Sequence, residues 1–294
     1  MQTCCKGDNS LRPGEDIDIE FTITKNVIAE ACEAIRRDSE LLAEKKPLDT
    51  AYTSTDTKLC YVSLTVTSAN KLPVGTVYEL SPLGYELSPR EFKDRTTYFG
   101  SCKRERLADG RKGAVENDVV LPLEVKTPGR HFMISYDWDS NVYYIEDLGV
   151  GLGVFRKLHS PLVLQANMLI SCAGAFLLFD VVSHASCSEI KCHVFSKTVQ
   201  RTQSFLSTEH LASAITIGRA SSCDICLEDL SMSKVHASIV RRLDQWVIHD
   251  GSYTSRKHSK NGTWLYIKEK ARLLNGMVLK TGDVTMVAKL FNKF

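Results

Sequence analysis

Beyond Asp49 the chain is a succession of short apolar runs rich in Val, Ile, Leu, Tyr and Phe. Gly, Pro, Asn or Asp interrupts them about every eight to twelve residues, the spacing of an all-β sandwich or barrel. Residues 59–67, 76–80, 96–100, 119–121, 131–136 and 142–147 read as strands, and so do 153–157, 162–164, 168–171 and 175–182. A polar stretch over 183–190 reads as a linker, after which the pattern restarts. One earlier segment has a different period. Between residues 25 and 46, Val27, Ile28, Ala31, Cys32, Ile35, Leu41 and Leu42 fall at helical spacing and Pro47 ends the run, so residues 16–50 are expected to hold one amphipathic helix. Its charged face (Glu30, Glu33, Arg36, Arg37, Glu40) reads first as a solvated surface and second as a docking face. The first fifteen residues are polar and turn-rich, and are expected to be disordered.

The restart after residue 190 repeats an earlier order of residues. In the first unit His131-Phe132-Met133-Ile134 leads to Tyr143-Tyr144-Ile145-Glu146-Asp147-Leu148-Gly149 and then to Gly153-Val154-Phe155. In the second, His236-Ala237-Ser238-Ile239 leads to Trp246-Val247-Ile248-His249-Asp250-Gly251 and then to Gly262-Thr263-Trp264. Histidine, an aromatic-led strand ending in Asp, a Gly turn and an aromatic recur in one sequence. This predicts two tandem domains of one fold, at 51–182 and 191–294.

Composition narrows the functional classes. A chain of 294 residues, 43% of them hydrophobic, is long enough for two domains with separate cores. Lys plus Arg number 37 and Asp plus Glu 35, so bulk charge does not drive binding to a polyanion and any phosphate affinity must be local. The basic segment from Lys103 to Lys112 reads as an exposed loop. Basic residues are not interleaved with aromatics on one face, which argues against nucleic acid. No run reaches the roughly eighteen apolar residues of a membrane span, and the first residues lack the apolar stretch of a signal peptide. A soluble intracellular protein, cytoplasmic or nuclear, is expected, with its ten cysteines as free thiols.

The candidate chemistry lies in the second unit: Ile217-Gly218-Arg219, then Ser233-Lys234-Val235-His236, then Lys260-Asn261-Gly262-Thr263-Trp264. Each piece alone is common. In this order, with Cys223-Asp224-Ile225-Cys226-Leu227 between the first two, the segment resembles the forkhead-associated (FHA) domain, a β-sandwich of the SMAD/FHA type that binds phosphothreonine peptides. The resemblance covers roughly residues 191–294. It implies that Arg219 pairs with phosphate oxygens, Ser233 donates its hydroxyl, Lys234 adds charge or a backbone donor, Lys260 approaches the phosphothreonine and Asn261 holds the peptide backbone. Gly218, His236, Gly262 and Thr263 would support the site, His236 by bracing the loops. The loop from Gly251 to Lys260 is longer and more basic than usual there. Its Arg256, Lys257 and His258 read equally as added ligand contacts and as a solvated tip.

The first unit keeps the framework and lacks the pocket. Gly100-Ser101 stands in place of Gly-Arg, Pro128 three residues before His131, and Leu152-Gly153 in place of Asn-Gly. It reads as a degenerate copy. Two Glu-Leu-Ser-Pro sequences, at residues 79–82 and 86–89, read as solvated loop, with phosphorylation as the second possibility. Cys223-x-x-Cys226 lacks a second pair to complete a zinc site, no catalytic motif is found, and neither a cofactor nor a metal is expected. The function implied is a non-enzymatic adaptor for a phosphothreonine-containing protein. The alternatives are a structural or oligomerising protein with a vestigial pocket, and a regulatory subunit of a separate enzyme.

Overall fold

The structure, a computed structural model, describes residues 60–90, 94–106, 112–123, 129–183, 188–197, 199–207 and 214–292. The helix expected within 16–50 and the disorder expected over 1–15 fall outside these residues. In the first half the strands are β1 Cys60–Ser68, β2 Val77–Ser81, β3 Gly84–Tyr85, β4 Thr96–Gly100, β5 Arg104–Arg106, β6 Lys112–Glu116, β7 Val119–Val120, β8 Phe132–Asp137, β9 Val142–Asp147 and β10 Phe155–Lys157. There follow β11 Leu162–Val163, β12 Met168–Cys172, β13 Ala175–Ser183, β14 Ser188–Phe195, β15 Gln200–Ser207, β16 Ile215–Gly218, β17 Ile225–Cys226, β18 Ala237–Arg242, β19 Gln245–Asp250 and β20 Thr263–Tyr266. The last three are β21 Ala271–Arg272, β22 Val278–Thr281 and β23 Val284–Asn292. The fold is all-β, and the alternating burial of β8, β9 and β14 shows the two-residue period that the sequence predicts.

The strands build one long sheet and two five-stranded sheets, besides the small β5–β6 hairpin. The long sheet runs β15-β14-β13-β12-β20-β10-β22-β23-β1-β2-β3. The sheet β21-β9-β8-β4-β7 shares one core with its β23-β1-β2 end. The sheet β11-β19-β18-β16-β17 shares another with its β14-β13-β12 end. The first core holds Val62, Leu64, Phe99, Phe132, Ile145 and Val154, together with Ile267, Leu279, Val284 and Met286. The second runs from Leu158 to Leu265 and includes Ile170, Phe179, Ile190, Ile217, Trp246 and Ile248. Sandwich membership therefore does not follow chain order. One sandwich is made by 60–154 with 267–292, and the other, of 158–265, is inserted into it.

The two crossings lie side by side. The chain leaves the first core through β10 and re-enters it through β20, and these strands pair antiparallel with Phe155 opposite Tyr266 and Lys157 opposite Trp264. The ends of an inserted domain must lie close together, and strand pairing brings them within one ladder spacing. The hairpin β12–β13 then pairs with β14, while β22–β23 pairs with β1 from Cys60↔Asn292 to Ser68↔Thr285. Each hairpin closes the sandwich that the other would close if the domains followed one another in sequence.

Three local expectations change. At the two ends of the stretch 183–190, Ser183 closes β13 and pairs with Ser188, Ser188 and Ile190 are buried in β14, and the indole Nε1 of Trp246 donates to Ser188 Oγ at 2.9 Å. The first Glu-Leu-Ser-Pro copy lies in β2, with Leu80 in the core and Ser81 Oγ donating to Gly84 O at 3.0 Å. The second copy is an exposed turn, as expected, and its Ser88 hydroxyl bonds Asp118, whose carboxylate also receives Arg90 Nε at 2.6 Å and Tyr98 N at 2.6 Å. The basic segment from Lys103 to Lys112 contributes to the β5–β6 hairpin. In β2, β14 and the β5–β6 hairpin, strand pairing satisfies backbone groups in residues whose local composition favours a loop.

The pairing of β1 with β23 is directly testable. Ser63 faces Lys289 across that ladder, and both side chains point away from the core. Cysteines at Ser63 and Lys289 are expected to form a disulfide on mild oxidation, seen as a cross-linked peptide by mass spectrometry. A Ser63/Asp180 pair, which sequential closure would bring together, is expected to stay reduced; the reverse result would refute the insertion.

Candidate functional site

Three loops meet at one end of the 158–265 sandwich: those after β16, before β18 and before β20. Backbone hydrogen bonds lock the first two together. Arg219 N donates to Ser233 O at 3.1 Å, Ala220 N to Lys234 O at 3.1 Å and His236 N to Ile217 O at 2.7 Å. The approach is so close that a Cβ on Gly218 would stand 2.2 Å from Lys234 O. Only glycine fits there, and the next residue, Arg219, is carried to the exposed rim.

The third loop is tied to the second by Ser233 and His236. Lys260 N donates to Ser233 Oγ at 2.9 Å, which leaves the hydroxyl proton of Ser233 available to an incoming acceptor. The buried His236 ring accepts from Ser233 N at Nδ1, 3.2 Å, and faces Gly262 O with Nε2, 3.0 Å. These partners assign the proton to Nε2, with Gly262 O as its acceptor. Asn261 Nδ2 donates to Ser231 O at 2.8 Å, so one amide hydrogen is committed while the other, and Oδ1, remain for a ligand. Thr263 Oγ1 donates to Asp250 Oδ1 at 2.8 Å.

Arg219, Lys234, Lys260 and Asn261 are exposed and Ser233 is half-buried. None of the three cations forms an ion pair with a described residue. The nearby carboxylates are occupied by loop atoms instead. Asp229 receives Ser231 N and Oγ, each at 2.7 Å, and Asp250 receives Ser259 Oγ at 2.6 Å as well as Thr263. The mouth therefore presents three unneutralised cations, a hydroxyl donor and an amide, a set suited to an anion carried on a polypeptide.

Residues 215–286 match the family model of the FHA domain. The chain carries an FHA domain. No curated relative matches the chain. An FHA domain is a phosphopeptide-binding interaction module, and the loops above fall within the matched residues. The match crosses from one sandwich into the other. Its residues 215–265 belong to the inserted sandwich, whereas Ile267, Leu279 and Met286 pack in the other core.

Asp250 and Ser259 are the functional supports of the FHA loops that single-residue reasoning passes over. The Asp250 carboxylate gathers Ser259 N at 3.2 Å, Ser259 Oγ, Thr263 Oγ1 and the His258 ring at 3.3 Å. Ser259 Oγ in turn accepts from Gly262 N at 2.8 Å. The signal for this role was the recurrence of Asp at the end of the equivalent strand. Asp147 does the same work in the other sandwich, accepting from Gly149 N, Val154 N and Tyr266 Oη at 2.8, 2.6 and 2.9 Å. The basic loop is a closed turn in which Ser252 N donates to Lys257 O at 2.9 Å, with Arg256, Lys257 and His258 on its exposed side.

At the matching corner of the other sandwich the space is filled. A Cβ on Gly100 would stand 2.3 Å from Asn117 Nδ2, and that buried amide donates to Cys102 O and Gly129 O at 2.8 and 3.1 Å. Ser101 is buried, and Leu152, the residue before Gly153, is half-buried. Pro128 lies outside the described residues. No helix among the described residues is long and apolar enough to cross a membrane.

Burial pushes the His236 pKa below the usual imidazole value, against the opposing pull of Gly262 O, Asp250 and Asp229. Above about pH 6.5 the ring is neutral in both folded and unfolded chains. As the pH falls below that value the unfolded chain takes up a proton that the folded site resists, so stability declines until the depressed folded pKa is passed. Asp147, pushed up to about 6 by burial, acts with the opposite sign, since the folded chain takes up its proton first. A comparison of the wild type with His236→Gln cancels that contribution. Urea midpoints measured between pH 7.5 and 5 are expected to fall more steeply for the wild type than for the variant; parallel profiles would remove the neutral-ring brace.

Proposed function

We propose that this protein is a non-catalytic adaptor whose FHA domain docks a phosphothreonine-containing protein in phosphorylation-dependent signalling. The observation that carries the reading is the set of three cations, Arg219, Lys234 and Lys260, that have no ion-pair partner among the described residues and lie on the loops that meet at the Ser233 hydroxyl. A phosphothreonine dianion supplies the charge that this mouth lacks. The Arg219 guanidinium offers a planar fork to two phosphate oxygens, Ser233 donates its hydroxyl to another, and the two ammonium groups add charge without fixing direction. Asn261 contributes its uncommitted amide hydrogen and Oδ1 to the peptide backbone, so it holds an extended chain without selecting its side chains.

The 60–154/267–292 sandwich serves as scaffold. Its corresponding corner is occupied by Asn117, and Leu152 replaces the amide, so a phosphate would find neither space nor donors there. The setting is intracellular, cytoplasmic or nuclear. That fits the free thiols at Cys60, Cys102, Cys172, Cys192, Cys223 and Cys226.

Arg219→Ala in the full chain is the test. Charged hydrogen bonds of this kind contribute about 1.5 to 3 kcal/mol each, so loss of a two-pronged contact is expected to weaken phosphothreonine-peptide binding at least about tenfold. The Arg219 side chain supports no described contact, and the thermal unfolding midpoint is expected to stay put. Peptide titrations by fluorescence anisotropy, with and without phosphate, measure this. Equal affinity for wild type and variant, or indifference to phosphate, would favour a structural sandwich with a relic pocket.

A further inference from the structure

A cleft of about 710 Å³ opens where the two sandwiches meet. Its walls come from both: residues 165–169, which lead from β11 into β12, belong to the inserted sandwich, and residues 267–271, which lead from β20 into β21, belong to the other. Arg156 of β10 also lines it. Across the ladder Arg156 faces Leu265, a residue of the second core, and Leu279, a residue of the first, whereas its neighbour Phe155 turns to the aromatic cluster on the opposite face. Insertion of one sandwich into the other therefore sets this side chain at the seam between the two cores.

Much of the lining is apolar. Leu169, Leu265 and Ile267 are buried, and the half-buried Met168 and Ala271 extend the same surface. The Arg156 side chain is half-buried and forms no hydrogen bond, ion pair or ring contact with a described residue. Burial pulls its pKa below the usual guanidinium value, yet a guanidinium keeps its proton at neutral pH. Glu269, the carboxylate on the lining, is exposed, does not pair with Arg156 and is flanked in sequence by Lys268 and Lys270. The Lys270 ammonium lies over the Tyr144 ring, 4.6 Å from its centre. A permanent charge that has given up part of its hydration without gaining a partner is relieved by an anion that enters the cleft.

We propose that this cleft binds a small amphipathic carboxylate, with Arg156 taking the carboxylate and the apolar lining taking the body of the molecule. The planar guanidinium matches two carboxylate oxygens in one plane, and one guanidinium balances one negative charge, which favours a monocarboxylate over a phosphate dianion. A largely apolar cleft of this size, with few polar groups and at a junction between domains, has the form of a small-molecule site. The ligand touches both sandwiches at once and so holds the seam between the inserted domain and its host. Arg156 lies outside the residues of the FHA match, so the site stands independently of the phosphopeptide reading.

The test titrates the full chain calorimetrically with three probes: octanoate, 1-octanol as its uncharged match, and acetate as a carboxylate without an apolar body. The wild type is expected to bind octanoate one-to-one, with 1-octanol and acetate each weaker by about tenfold or more, the scale of a two-pronged charged contact or of apolar burial. Arg156→Gln is expected to weaken octanoate by about tenfold and to leave 1-octanol unchanged. Octanoate is expected to raise the thermal unfolding midpoint of the wild type more than that of Arg156→Gln, whose own transition shows that it folds. Arg219→Ala controls for octanoate held at the FHA mouth and is expected to bind it as the wild type does. The comparison of octanoate with 1-octanol in the wild type decides the need for charge without any variant. Equal affinity for those two probes, equal octanoate affinity in wild type and Arg156→Gln, loss of octanoate binding in Arg219→Ala, or no saturable binding of millimolar octanoate each overturns the proposal.

Discussion

The antiparallel pairing of β10 with β20 is the contact on which the rest of the molecule depends. These are the two strands in which the chain passes between its cores, and each passage has the other as its neighbour. Side chains one residue apart serve different masters along them. Leu265 enters the second core, while Trp264 and Tyr266 join Phe155, Leu169 and Phe176 in a cluster on the other face. Each strand is paired on both sides where the chain changes sandwich, β10 with β20 and β22 and β20 with β10 and β12, so its backbone groups have ladder partners there. The joined sheet can then reach eleven strands with a closed core at each end.

The FHA loops inherit their rigidity from this arrangement. Thr263, the first residue of β20, is tied to Asp250, and the preceding Gly262 is tied to His236 and Ser259. The loops of the mouth are therefore fixed by backbone bonds and by the side chains of Ser233, His236, Asp250 and Ser259. The cations project from this frame into solvent, where they repel one another mildly and wait for a counter-charge. Acidic groups that would neutralise them are spent on loop backbone and hydroxyl donors, so local negative charge strengthens the scaffold without filling the pocket.

Much of the fold was legible as alternation. Strands such as 96–100 and 142–147 agree with their predicted limits because one face of each meets a core and the other does not. The misjudged stretches share a cause. Ser81 and Ser188 sit among turn-forming neighbours and read as loop or linker, yet each lies in a strand with its hydroxyl bonded to a partner: Ser81 locally to Gly84 and Ser188 to Trp246. In the site, Arg219, Ser233 and Asn261 were visible as a motif. Asp250 was visible only as an echo of Asp147, and Arg156 was invisible, because its place at the seam between the two cores depends on which strands pair with β10.

What the chain determines by itself is the set of parts: the strand period, the repeat, and the polar residues at the turns that become the FHA mouth. These depend on neighbours a few residues away and on the two-residue alternation of a strand. What only the tertiary structure decides is which hairpin closes which sandwich. The hairpins β12–β13 and β22–β23 are both apolar on one face and both joined by tight turns, so either offers a first strand the same backbone ladder and a similar buried surface. Backbone hydrogen bonds carry no residue identity. The choice rests on the summed packing of two cores, a quantity no local stretch of sequence contains.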